Sequence, residues 1–120
     1  MGLAERLYEA QFLRYYQKLK KIMNAFQALI ASGKPVLVDF TATWCGPCKM
    51  MAPVLEQVKQ SLGERITIIK IDIDKSPQTA NSFQVQGVPT LILFKEGTAK
   101  WRQSGVTSAQ ALMGAIDQYL

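Results

Sequence analysis

Two cysteines stand two residues apart in a chain that holds no others, within the run Trp44-Cys45-Gly46-Pro47-Cys48. A strand-like apolar run, Val36-Leu37-Val38-Asp39-Phe40, precedes them, and a helical pattern follows. That order puts Cys45 at a helix N-terminus, where unpaired backbone N–H groups and the helix dipole favour a thiolate over a thiol. Disulfide exchange proceeds by thiolate attack through a mixed disulfide. It needs an exposed thiol of low pKa and a second thiol to resolve the intermediate. Cys45, expected to be exposed at the helix start, suits the first role, and Cys48, one turn further in, suits the second. Gly46 permits close approach, and Pro47 is tolerated in the first helical turn, where no donor is required. Lys49 adds a positive charge nearby, although an exposed, solvated lysine is its simpler reading.

Other uses of the pair have less behind them. A structural bridge across so short a loop constrains the unfolded chain little. Two cysteines in 120 residues are too few for a secreted disulfide scaffold. The chain has no histidine, which removes His-based acid–base catalysis. A zinc site would need two ligands beyond Cys45 and Cys48, barring a site shared between two chains.

The elements that must position the pair follow from periodicity. Residues 3–31 read as helix, with Leu7, Phe12, Leu19, Phe26 and Leu29 among apolar positions recurring every three or four residues. Ser32-Gly33-Lys34-Pro35 ends the run. A break near residues 21–24, with Asn24 starting a second helix, is an open alternative. Residues 36–41 form a buried strand by composition. Met51, Val54, Leu55, Val58 and Leu62 keep helical spacing up to Gly63, and Pro53 should bend that helix. Residues 66–72 are a second strand, and Ser76-Pro77 opens a short helix reaching about Phe83. Residues 90–95 and 99–103 pair as a hairpin about Glu96-Gly97. Ser108 caps a last helix that buries Leu112, Ile116 and Tyr119 or Leu120. The first two strands are joined through a helix and should run parallel. The fold class is therefore α/β, one mixed sheet covered by helices on both faces.

Composition sets outer bounds. At 48% hydrophobic and 19% charged, the chain is that of an ordinary globular domain. The formal charge is +5, and residues 1–21 hold a net +3 of it, from Arg6, Arg14, Lys18, Lys20 and Lys21 against Glu5 and Glu9. No basic-aromatic nucleic-acid motif accompanies that charge, so no nucleic-acid partner is expected. No apolar run is long enough to span a membrane, and no signal peptide is visible. A cytoplasmic protein is expected, or a periplasmic one if an upstream signal has been removed.

Trp-Cys-Gly-Pro-Cys-Lys at 44–49, together with Gly87-Val88-Pro89-Thr90, resembles the thioredoxin family. The resemblance covers roughly residues 34–120 and extends through the spacing of Asp39, Pro53, Lys70, Asp72 and Gly105. It implies a central mixed sheet with flanking helices, reduction of protein disulfides without a bound cofactor, and electrons drawn from a thioredoxin reductase. By the same resemblance Asp39 serves as proton acceptor for Cys48, and Lys70 tunes Asp39. A carboxylate in an apolar strand fits that role, because burial raises its pKa. Pro89 should follow a cis peptide bond. Val88 should offer backbone groups to an extended substrate, with Trp44 and residues 87–89 as an apolar rim and Gly105 lining the same groove. Trp101 has no family role and should simply pack.

The chain departs from the family pattern in two places. Thr41 and Thr43 stand where many relatives carry an aromatic and an acid, so changed surface recognition is expected. At the front, no strand-like segment precedes the first helix. Residues 1–23 are therefore read as a basic amphipathic helical extension in place of the usual first strand, and residues 24–120 as a thioredoxin domain. Segment 3–23, with Tyr8, Phe12, Tyr15 and Tyr16, could pack on the sheet edge, dock a partner or a second copy, or lie on anionic lipid. The alternatives to a reductant are an oxidant or isomerase in an oxidising compartment, and a docking module using helix 3–23.

Overall fold

The computed structural model describes residues 2–120. A single helix α1 (Leu3–Ile30) leads into β1 (Val36–Thr41), α2 (Gly46–Leu62), β2 (Thr67–Asp72), α3 (Pro77–Ser82), β3 (Thr90–Lys95), β4 (Thr98–Ser104) and α4 (Ala109–Asp117). The open question of a break is thus answered: Asn24 is an exposed residue inside one continuous helix. Pro53 sits within α2, and the helix continues through it to Leu62. Ile66, expected to begin the second strand, instead follows a 3-10 turn at Gly63–Arg65 and is buried just ahead of β2.

The strand order is β2-β1-β3-β4. β1 pairs with β2 in parallel and with β3 antiparallel, and β3–β4 is the expected hairpin. The alternation of β1 sorts its side chains between two cores. Leu37 joins Leu91, Leu93, α2 and α4 on one face. Val36, Val38 and Phe40 join Ile92, Phe94, α3 and the C-terminal turns of α1 on the other. Helices therefore cover both faces, and β1, buried along almost its whole length, is the axis of the domain. β2 forms one edge of the sheet, with Ile68, Ile69 and Ile71 only half-buried.

Only the last third of α1 belongs to this packing. Phe26 and Ile30 are its buried residues, with Met23 and Leu29 half-covered. Phe26 lies 5.5 Å from Phe83 and 6.0 Å edge-on from Phe94, ring centre to ring centre. Nearly every residue from Gly2 to Lys18 is exposed. A helix of 28 residues is about 42 Å long, and most of that length stands clear of the sheet. The result is an elongated body, 61 × 32 × 21 Å, with a radius of gyration of 17.1 Å. A compact domain of this size has about 13.5 Å.

Phe26→Ala is expected to lower folding stability by about 3–4 kcal/mol through the cavity left among Phe83 and Phe94. Leu13→Ala, on the exposed length of α1, should change it by less than about 0.5 kcal/mol. Urea unfolding of the two variants checks the contrast.

Candidate active site

The redox pair sits where β1 ends. The chain leaves Thr41, turns back so that the Cys45 N–H donates to the Ala42 carbonyl at 3.2 Å, and enters α2. Cys45 is the N-cap of that helix, and the Cys48 N–H donates to its Sγ at 3.2 Å. A sulfur is thus the group that satisfies one of the orphan donors of a helix start. Gly46 and Pro47 fill the first turn, where the missing N–H of proline leaves nothing unpaired. Cys45 and Cys48 are bonded to each other with a Cα–Cα distance of 5.3 Å, within the ordinary disulfide range. This is the oxidised state of the couple.

The expectation of an exposed Cys45 is corrected here. Cys45 is 4% exposed and Cys48 6%. Both pack with Ala42 and beneath Ile73 and Val88, residues that neighbouring loops bring over the helix start. The Cys45 Sγ lies 3.7 Å from the Val88 carbonyl oxygen. What is open is the rim: Trp44 is 68% exposed, and Gly46, Pro47 and Gly87 are exposed beside it. A sulfur nucleophile needs one clear line of attack rather than a broad accessible surface, so recessed placement restricts the approach without forbidding the chemistry.

The rim is held by hydrogen bonds across long sequence separations. The Trp44 indole Nε1–H donates to Asp74 Oδ2 at 2.8 Å. Asp74 is itself fixed by a turn in which the Asp72 carboxylate accepts the N–H groups of Asp74 and Lys75 at 2.8 and 3.3 Å. Opposite Cys45, the Val88–Pro89 bond is cis, as the resemblance implies. The Thr90 hydroxyl donates to the Gly87 carbonyl at 2.7 Å, and the Gly105 N–H donates to the Pro89 carbonyl at 2.9 Å. Gly105 has φ +89°, a backbone that side-chain-bearing residues rarely adopt. Glycine is therefore required there for the turn that makes this bond. Pro89 is buried and Val88 half-buried.

Behind the cysteines lies Asp39. It is 2% exposed, on the β1 face that carries Leu37 and meets α2, and its Oδ1 finds no partner among the protein's own groups. Burial raises its pKa to about 6, against a weaker opposing pull from the Lys70 ammonium. Asp39 and Lys70 are register partners across β1 and β2, and the lysine is exposed. Asp39, Lys70, Cys48 and Lys49 line one cleft of about 280 Å³, with Thr41, Thr43 and Asp72 at its walls. The two sulfurs thus face different surroundings: Cys45 the Val88–Pro89 loop, Cys48 the cleft holding the buried carboxyl.

All ten residues singled out in the sequence lie around this end of the sheet. Two groups that organise it went unrecognised. Asp74 anchors Trp44 from thirty residues away, and Thr90 ties the loop to Gly87. An aspartate two residues after another at a strand exit signals a turn, but nothing local says that it will meet an indole. No cluster of potential metal ligands occurs among the described residues.

With this geometry in hand, similarities to known proteins are specific. The thioredoxin family profile matches residues 17–118. A thioredoxin-like protein of Synechocystis is 48% identical over 101 residues, 84% of this chain and 96% of its own length. Thioredoxin from Mycobacterium tuberculosis is 52% identical over 85 residues, 71% of this chain and 73% of its own. Among solved structures, oxidised mitochondrial thioredoxin 3 of Saccharomyces cerevisiae superposes with a TM-score of 0.73 at 35% identity, covering 80% of this chain and 89% of that one.

Asp39 leads to a pH-dependent expectation. Its pKa is higher folded than unfolded, so between about pH 4 and 6 the folded chain binds more protons, and stability falls as pH rises through that window. Above it, the buried charge costs on the order of 2–3 kcal/mol. Asp39→Asn should therefore stabilise the oxidised protein by that order at pH 7, with the difference fading below about pH 4. Denaturant unfolding across the range checks both the sign and the window.

Proposed function

Because the chain belongs to the thioredoxin family and its cysteine pair is a dithiol–disulfide couple, we propose that it acts as a reductant of protein disulfides. The observation that carries this reading is the Cys45 sulfur held as helix N-cap by the Cys48 N–H, one bond from its redox partner. In the reduced protein the same donor and the helix dipole stabilise a Cys45 thiolate.

The Cys45 thiolate attacks one sulfur of the substrate disulfide. The substrate S–S bond breaks, one substrate thiolate departs, and a mixed disulfide joins Cys45 to the other sulfur. Cys48 then gives its proton to the Asp39 carboxylate and attacks the Cys45 sulfur, expelling the second substrate thiolate. Two electrons have passed to the substrate, and the Cys45–Cys48 bond is closed. Asp39, with a pKa near 6, is ionised at neutral pH and able to take that proton. Lys70, on the same cleft, favours the ionised form and so tunes the acceptor. The reverse transfer restores the dithiol at the expense of an external dithiol donor, in this reading a thioredoxin reductase. A reducing compartment such as the cytoplasm follows from that direction.

Substrates dock along the exposed rim. An extended segment pairs with the backbone of Val88 as an added strand, while Trp44, Gly46, Pro47, Pro89 and Gly105 shape the groove. The position of the sulfur supports this mode, because a chain laid against the Val88–Pro89 loop passes beside Cys45 Sγ, 3.7 Å from the Val88 carbonyl oxygen. Residues 24–120 carry the activity as the redox domain, and residues 1–23 are an extension from it.

Cys45→Ser is expected to abolish reduction of a model protein disulfide such as insulin, to the uncatalysed rate. Cys48→Ser should retain the first attack and accumulate the mixed disulfide, seen by mass spectrometry. Full turnover by Cys45→Ser would sink the assignment. Direction is tested separately by redox titration of the couple. A midpoint near the family's reference value of about −270 mV supports the reductant, and one above about −200 mV makes it an oxidant or isomerase.

A further inference from the structure

The exposed length of α1 carries an apolar seam that the domain leaves uncovered. Phe12, Leu19 and Phe26 recur every seven residues, and Tyr8, Tyr15, Ile22 and Leu29 do the same four residues out of step. That is the a/d pattern of a coiled-coil seam. In the last turns the seam is spent on the domain, where Phe26 is buried and Leu29 half-covered. Toward the N-terminus the same stripe runs on into solvent. Tyr8, Phe12, Tyr15 and the flanking Tyr16 are 54–71% exposed, on the helix whose projection stretches the molecule to 61 Å. The Tyr15 hydroxyl touches the domain only by accepting from Gln78 at 3.1 Å.

We propose that this stripe pairs with the same stripe of a second copy, the two helices antiparallel. Two observations favour that occupant. The first is charge. The first turns carry Glu5 and Glu9 against Arg6, a net acidic end, and the later turns carry Arg14, Lys18, Lys20 and Lys21, a strongly basic one. Antiparallel pairing lays the acidic turns of each copy along the basic turns of the other. Parallel pairing stacks like on like. The second is area. A buried aromatic covers roughly 150–250 Å², so hiding the exposed parts of these four rings removes on the order of 400–500 Å² per copy and nearly 1,000 Å² from the pair. Leu19 and the aliphatic stems of Lys18 and Lys20 bring the total to the lower end of stable, specific interfaces. A contact of that size, at the small end of the range, suits a reversible dimer rather than an obligate one.

Sedimentation equilibrium on the full chain tests this. The mass is expected to move from one chain, 13.4 kDa, to two between about 1 and 100 µM. Phe12→Glu should hold it at one chain throughout with disulfide reduction unchanged. Glu5→Lys with Glu9→Lys should weaken the dimer about tenfold, because the reversed end of each helix then repels the basic turns of the other. Adding Lys18→Glu and Lys20→Glu to that same chain should restore it. A single-chain mass at every concentration overturns the proposal, and flotation of that monomer with phosphatidylglycerol vesicles would assign the stripe to lipid instead. Dimers indifferent to Phe12→Glu overturn it too. Double charge reversal without the rescue overturns the antiparallel arrangement.

Discussion

One backbone N–H pointed at one sulfur organises this protein. Helix α2 begins at the Cys45 side chain, and the Cys48 amide that a hydroxyl or carboxylate would ordinarily cap is given to Sγ instead. The consequence is electrostatic. The positive end of a 17-residue helix and a dedicated donor both favour negative charge on that atom. The rest of the fold keeps that helix start in place. β1 delivers the chain to it from the centre of the sheet, and the apolar face of α2, through Met51, Leu55 and Val58, locks the helix against Leu37, Leu91 and Leu93.

The two sulfurs are then differentiated by what lies behind each. Cys45 meets a loop whose backbone is set by a cis bond, by the Thr90 hydroxyl and by the Gly105 amide. Cys48 borders a cleft with a buried carboxyl whose proton affinity burial has raised into the range useful near neutrality. Keeping Asp39 there costs stability at neutral pH. A polar group without a partner in an otherwise apolar strand is a departure from good packing of the kind expected at functional sites.

Much of this was legible in the residues, and the reasons are local. The β1 run, the cysteine spacing, Pro47 in the first turn and Ser108 as cap of α4 are short-range signals, and each lands where expected. What was not legible depends on contacts between distant segments. The burial of Cys45 comes from Val88 and Ile73, contributed by separate loops. The orientation of Trp44 comes from Asp74, thirty residues on. The continuity of α1 was ambiguous because Asn24 is a fair helix start by type, yet it lies exposed within a helix whose opposite side is anchored at Met23 and Phe26. Tertiary packing, not the propensity of one residue, decided that case.

The most direct measurement is the ionisation of Cys45 in the reduced protein, followed by thiolate absorbance or by alkylation rate against pH, with Cys48→Ser to isolate the signal. A sulfur capped by the Cys48 amide at a helix start should titrate well below the ordinary thiol value of about 8.5. A value at or above it would mean that the helix terminus does nothing for the sulfur, and the account of how this site works would be wrong.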